Sequence, residues 1–198
     1  MSEMRLHDPS GNRLYLNGEE RANFLAAARR QPARDRTLCE ALHWTGCRPS
    51  EALEITPARV DLFGGTITIR SLKKRKDASG QQKVVFRSVP VPPEFLDTLT
   101  TAHGIREAQK SRRKAAAPIW DLSRVRVWQI VKRIMIEAHI PDAPHRSPKG
   151  LRHGFGINRR QHRSQQEGAG QHHQYRHDLG HGDDGHVEHK GFDVFVML

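Results

Sequence analysis

The sequence predicts an α+β domain, mainly helical, with one small antiparallel β-hairpin sheet. Three observations carry that expectation. Apolar residues recur at three and four in several stretches, which is the period of a helix with one buried face. Two short stretches, Thr66–Ile69 and Val85–Val91, alternate instead, as strands do. A polar, basic, Gly-containing segment, LKKRKDASGQQK, joins those two as a long hairpin.

Taken in order, Asn17 precedes Gly-Glu-Glu20 and a run with Phe24, Leu25 and Ala28 on one side. This predicts a capping-box start and an amphipathic helix to about Arg30. A second helix is expected from about Asp35, through Leu38, Ala41 and Leu42, to a stop at Thr45-Gly46. Pro49 suits the first turn of a third, short helix reaching about Ile55. After the hairpin, helical patterning resumes near Pro93. It is strongest from Ser123 to Ala138, where Val125, Trp128, Val131, Ile134, Met135 and Ala138 form a stripe, with Arg124, Arg126, Lys132 and Arg133 off it. Ser147-Pro148 opens a last helix, KGLRHGFGIN.

Beyond Asn158 the composition changes. From Arg159 to Gly191 the large apolar residues are Tyr175, Leu179 and Val187, among seven histidines and five glutamines. Such a segment cannot bury a helix face, so residues 159–198 are expected to be a disordered His/Gln-rich tail on a body of residues 1–158. Of the formal charge of +11, the tail carries −1 and the body +12. A body this basic calls for a polyanionic partner, and nucleic acid is the commonest. Two cysteines, Cys39 and Cys47, make neither a disulfide framework nor a zinc ribbon. No stretch approaches transmembrane length and the N-terminus has no apolar h-region, so a soluble, cytoplasmic protein without membrane contact is expected.

Two segments carry the chemistry. In ALHWTGCRPSEALEI, Arg48 directly follows a helix-ending Gly46 and precedes a Pro-initiated turn. In SPKGLRHGFGI, Lys149, Arg152 and His153 stand at i, i+3 and i+4 on one helix face, with Leu151 and Phe155 on another, available to the core. Each alone reads as a basic surface. Together, with the basic hairpin between them, they are specific.

At these residues the chain resembles the tyrosine recombinases, the phage-integrase family. The family's T-G-x-R-x-x-E-x-L motif is matched by Thr45, Gly46, Arg48, Glu51 and Leu53, and its H/K-x-x-R-H box by Lys149, Arg152 and His153. The resemblance covers about residues 16–158. It implies a catalytic domain that breaks and rejoins double-stranded DNA through a 3′-phosphotyrosine. Arg48 and Arg152 would grip the non-bridging oxygens of the reacting phosphate, bidentate and charged at any working pH. Lys149 would be a supporting donor, and Glu51 and His153 would orient or support the site. Lys73 would protonate the departing 5′ oxygen, with Lys74 the alternative. Lys74, Arg75, Lys76, Arg87 and His153 would contact DNA. No metal or cofactor is implied, because the arginines stand where a cation would.

The family's nucleophile is a tyrosine after an L-G-H/W box. Leu179-Gly180-His181 spells the box, which assigns His181 to the site by resemblance, but no tyrosine follows it. Tyr15 precedes the first helix and Tyr175 lies where the box's His or Trp is expected. The nucleophile is therefore unassigned, and the chain is expected to be inactive. One account is a reading-frame shift after Asn158: Arg159–Ser164 can be encoded so that one base later the string reads Ala-Val-Ser-Thr-Gly-Val, and His181 is then coincidence. The other is a metal-binding tail, with His173, His177 and His181 at i, i+4 and i+8 and His186 and His189 near. About fifteen residues precede the first helix, so the family's separate core-binding domain is not expected. The family's final helix, which docks on a neighbouring protomer, has no recognisable version either, so tetrameric assembly on DNA is not expected in this chain. A non-catalytic DNA-binding protein of integrase descent is the alternative reading.

Overall fold

The computed structural model describes residues 5–72, 80–81 and 84–160. Lys73, Lys74, Arg75, Lys76, Tyr175, His181 and the tail histidines lie outside the described residues, as does the expected tail beyond Arg160. The first two residues of that expected tail, Arg159 and Arg160, are helical instead, because they continue the preceding helix.

Helix α1 (Gly18–Arg29) starts where its capping box places it: the Asn17 side chain accepts from the Glu20 amide at 2.8 Å, and the Glu20 carboxylate accepts from the Asn17 amide at 3.0 Å. Helix α2 (Ala33–Thr45) begins two residues before the expected Asp35, directly after Pro32. It ends at Gly46, whose φ of +57° turns the chain left-handed. Helix α3 (Pro49–Ala52) is shorter than the expected run to Ile55. Beyond Ala52 the Glu54 and Ile55 amides bond only three residues back, to the Glu51 and Ala52 carbonyls at 3.3 and 3.0 Å, so the helix tightens into turns before Ile55.

After a 3₁₀ turn (Pro57–Arg59) come three antiparallel strands in the order β1 (Val60–Asp61), β2 (Thr66–Ser71), β3 (Val85–Pro90). The expected hairpin is present, and the two-residue β1 was too short to alternate. In the β2–β3 register Ile67 faces Val89 and Ile69 faces Arg87. Directly opposed residues share a face of the sheet, so Arg87 lies on the side of the buried Ile67, Ile69 and Val89. Phe86, one residue before Arg87, is exposed.

Helices α4 (Pro93–His103), α5 (Ile105–Gln109) and α6 (Arg112–Ala116) follow. The last two gave no periodic signal because α5 buries Ile105 alone and α6 buries nothing. Gln109 fastens α5 to the sheet, its Nε2 donating to the Pro57 and Val60 carbonyls at 2.9 and 2.8 Å.

Helix α7 (Arg124–Glu137), capped by Ser123, corrects the expected stripe. It buries Val127, Ile130, Val131, Ile134 and Met135, whereas Val125 and Trp128 are exposed. The first turn is apolar on two sides, and the core takes the side of Val127. The C-terminal half of the stripe, with Ala138, is buried as expected. Helix α8 (148–160) is capped by the Ser147 hydroxyl, which accepts from the Gly150 amide at 3.2 Å.

The core gathers Phe24 of α1, Leu38, Ala41 and Leu42 of α2, Leu99 of α4, the inner face of α7 and Leu151 of α8. Each fully buried Leu, Ile or Phe contributes about 1.5–3 kcal/mol through removal from water. Among the described residues no helix is long and apolar enough to cross a membrane.

Candidate active site

The site forms where three separate parts of the chain meet. The αL turn at Gly46 lets the chain reverse so that Cys47 is buried and Arg48 emerges at the N-terminus of α3. Pro49 fixes φ for the first helical turn, and Glu51 at the third position reaches back, its Oε2 accepting the Arg48 amide at 3.0 Å. That return places the Glu51 carboxylate, 1% exposed, under the arginines.

Three guanidiniums converge on it. Arg48 Nη1 donates to Oε1 at 2.7 Å, and Arg87 Nη2 and Arg152 Nη1 donate to Oε2 at 3.2 and 3.3 Å. Arg87 also donates to the Thr45 carbonyl at 3.4 Å, and Arg152 to the Gly46 carbonyl at 2.9 Å. The α2 C-terminal turn, β3 and α8 are thus tied at one point. Burial by itself would raise the Glu51 pKa. The Arg48 amide and guanidinium and the charge of Arg152 outweigh it and hold the carboxyl below the ordinary range. Burial, then the charge of Arg48, lowers the Arg152 pKa. The guanidinium nevertheless stays charged at working pH.

The arginines keep a solvent-facing side, with side-chain exposures of 43%, 34% and 31% for Arg48, Arg87 and Arg152. A guanidinium carries five N–H donors, and among the described residues the guanidinium bonds of Arg48 and Arg152 all leave from Nη1. Donors therefore remain for an anion from outside.

Helix α8 is held in register from below. Arg21, buried, donates to the Leu151 carbonyl at 2.9 Å and the His43 carbonyl at 3.0 Å, joining α1, α2 and α8. Burial pushes its pKa down to about 10. Its guanidinium stacks 5.9 Å from the Phe155 ring centroid. At Gly154 a Cβ would stand 2.3 Å from the Leu16 carbonyl oxygen, so α8 can lie this close to the N-terminal segment only with glycine there. Leu151 is buried and Phe155 packs against the core, as the spacing predicts.

The face of α8 opposite that contact opens on a cleft of about 400 Å³. Arg48, Arg124, Lys149, Arg152, His153 and Trp128 line it, and no carboxylate does among the described residues. Burial first, then the Lys149 charge, lowers the His153 pKa, so this buried ring is neutral near neutral pH. A four-cation cleft with preorganised donors suits a phosphodiester oxygen. Among the described residues no cluster of His, Cys, Asp or Glu is arranged to hold a metal ion.

The structure thus brings together Arg48, Lys149, Arg152 and His153 of the expected set and places Arg87 on Glu51. Sequence reasoning missed Arg124 and Trp128 as lining residues. Arg124 was legible only as a charge off a stripe, and Trp128 was assigned to the stripe itself. Tyr15, the tyrosine among the described residues, packs edge-on against His7 at 6.1 Å, under the Arg13 guanidinium.

Residues 15–178 match the family model described as the phage integrase family. The match runs past Asn158, the end of the resemblance legible by inspection. Solved structures share the fold. XerA recombinase aligns with a TM-score of 0.53 at 21% identity, over 71% of this chain and 48% of its own. XerH recombinase bound to palindromic difH substrate in a post-cleavage complex gives 0.58 at 23%, over 81% and 46%. The integrase from mycobacterium phage Brujita gives 0.50 at 22%, over 78% and 46%. The chain spans about half the length of these proteins. A comparison with curated protein sequences gives no match.

Proposed function

The chain belongs to the phage integrase family, and from that premise we propose that its basic body is the DNA-gripping catalytic domain of a tyrosine-type site-specific recombinase. The observation that carries this reading is the buried carboxylate of Glu51, which aligns Arg48 and Arg152 at the wall of a cationic cleft. Two forked donors from separate elements, the start of α3 and α8, are held with spare N–H groups facing solvent. This preorganisation stabilises charge developing on non-bridging phosphate oxygens, at about 3–4 kcal/mol per well-aimed donor.

In the full reaction a phenolate oxygen bonds to phosphorus as the bond to the 5′ oxygen breaks, and the phenol's phosphoester conserves the energy for rejoining. Lys149 supports the phosphate from the same helix face as Arg152. Lys73, with Lys74 as alternative, delivers the proton to the leaving 5′ oxygen. Lys74, Arg75 and Lys76 hold the flanking backbone. Double-stranded DNA is the proposed partner; XerH, which shares the fold, is solved bound to its difH substrate.

The nucleophile is unassigned. In this polypeptide no tyrosine follows Leu179-Gly180-His181. We propose that the body, which ends with helix α8, binds DNA without cutting it, that the residues beyond Arg160 form a separate tail, and that a frame shift after Asn158 displaced the tyrosine. The encoding DNA tests the last point: a tyrosine-containing frame must lie one base away.

The DNA-gripping claim is tested by the salt dependence of duplex binding. Arg48→Gln and Arg152→Gln each weaken binding and reduce the slope of log K against log salt by about one. Unchanged slopes in both variants would remove these arginines from the DNA interface.

A further inference from the structure

Trp128 is half exposed, at 50%, although it sits on the helix that supplies much of the core. An indole left in water forfeits a large apolar burial, so its position asks for a partner. Its surroundings narrow the chemistry of that partner. Lys132, one turn along α7, places its ammonium 5.7 Å from the Trp128 ring centroid. The same ammonium donates to the Arg146 carbonyl at 2.8 Å, so this cation is itself anchored to the loop before α8. The ring is therefore held from one side by a fixed group. It also forms a wall of the cleft that contains Arg48, Arg124, Lys149 and Arg152.

We propose that Trp128 is a nucleotide-positioning platform: it takes, by face-on apolar contact, the sugar and base next to the phosphate held by Arg48 and Arg152. The inference rests on the reading that those two arginines hold a DNA phosphate. Charge complementarity selects this occupant. The cleft offers four cations and no lining carboxylate among the described residues, which excludes a basic partner and favours a polyanion. A nucleic-acid strand places a flat, apolar-faced group directly beside each phosphate, and stacking tolerates any base because every base has a π-face. Trp128 then fixes which nucleotide lies beside the gripped phosphate, and so the register of the strand in the site. It touches no reacting atom and is a positioning residue.

The test uses the full chain and a short labelled duplex with a single nick, which frees one base to stack. Trp128→Ala weakens binding about 5- to 150-fold, the range of losing one base–aromatic stack. The salt slope does not change, because no charge is removed. Trp128→Phe recovers most of the affinity, since a phenyl ring keeps the platform. DNA quenches the indole emission of the wild type, and the quench is absent from Trp128→Phe, which retains Trp44 and the buried Trp120. A half-exposed side chain is a safe site for folding. Should the alanine variant unfold, the phenylalanine variant and its quench decide alone. Unchanged affinity in a folded Trp128→Ala, or a quench that survives in Trp128→Phe, overturns the proposal. If that happens while Arg152→Gln still lowers the salt slope, only the platform is lost. If Arg152→Gln leaves the slope unchanged, the phosphate reading beneath it fails as well.

Discussion

The Glu51 carboxylate and the Arg152 guanidinium meet at 3.3 Å across 101 residues of chain, with Arg48 and Arg87 on the same carboxylate. Glu51 is 1% exposed and its three partners are partly solvated. Removing the carboxylate lets those arginines rehydrate in part, which tempers the penalty of breaking a buried pair.

Glu51→Ala is expected to destabilise the domain by about 2 kcal/mol, the scale of hydrogen bonds to charged groups. Urea unfolding reads this as a lower midpoint with an unchanged slope. Glu51→Gln retains the Arg48 cap in part and should cost less. A Glu51→Ala protein as stable as wild type would show that the arginines do not depend on this carboxylate.

Gly46 is constrained twice. Its φ is +57°, and a Cβ there would stand 2.2 Å from the Phe155 ring carbon Cδ1. Gly46→Ala is expected to cost about 1–3 kcal/mol through the left-handed backbone and displacement of the ring. Phe155→Leu removes part of the collision, so the double variant should lose less than the sum of the singles. Strict additivity in thermal unfolding would contradict the contact.

Stability should fall as pH drops below neutrality. His43, His103 and His153 all have lowered pKa values, burial being the first cause in each. A group whose pKa is lower folded than unfolded binds its proton first in the unfolded chain. Its contribution is therefore whole above the unfolded value, about 6.5, and is lost as pH falls from there toward the folded values. Glu51 adds a second loss, beginning only below the unfolded Glu value of about 4.3 and completed as pH falls through its own lowered value. Urea midpoints measured from neutral to mildly acidic pH check the first loss. Rising stability over that window would contradict burial of neutral histidines.

Much of the site was legible because helix geometry fixes it. The i, i+3, i+4 spacing put Lys149, Arg152 and His153 on one face whatever the tertiary packing, and the Gly46–Arg48–Pro49 run encoded its own turn. Arg87 was not legible as a partner of Glu51. Its inward face depends on the β2–β3 register, and a shift of one residue would have turned it to solvent. Trp128 was misplaced for a related reason: the first turn of α7 is apolar on two sides, and only packing against the core chose Val127. The short helices α5 and α6 carry too little buried surface to show a period.

The central claim is that this body holds DNA at its arginine site without cutting it. Covalent trapping tests it most directly: the protein is incubated with a nicked duplex and resolved on native and denaturing gels. The account predicts a salt-sensitive native complex, weakened in the Arg48→Gln/Arg152→Gln variant, and no adduct that survives denaturant. A denaturant-stable adduct that disappears in Tyr175→Phe would contradict it, and would place a working nucleophile in the chain.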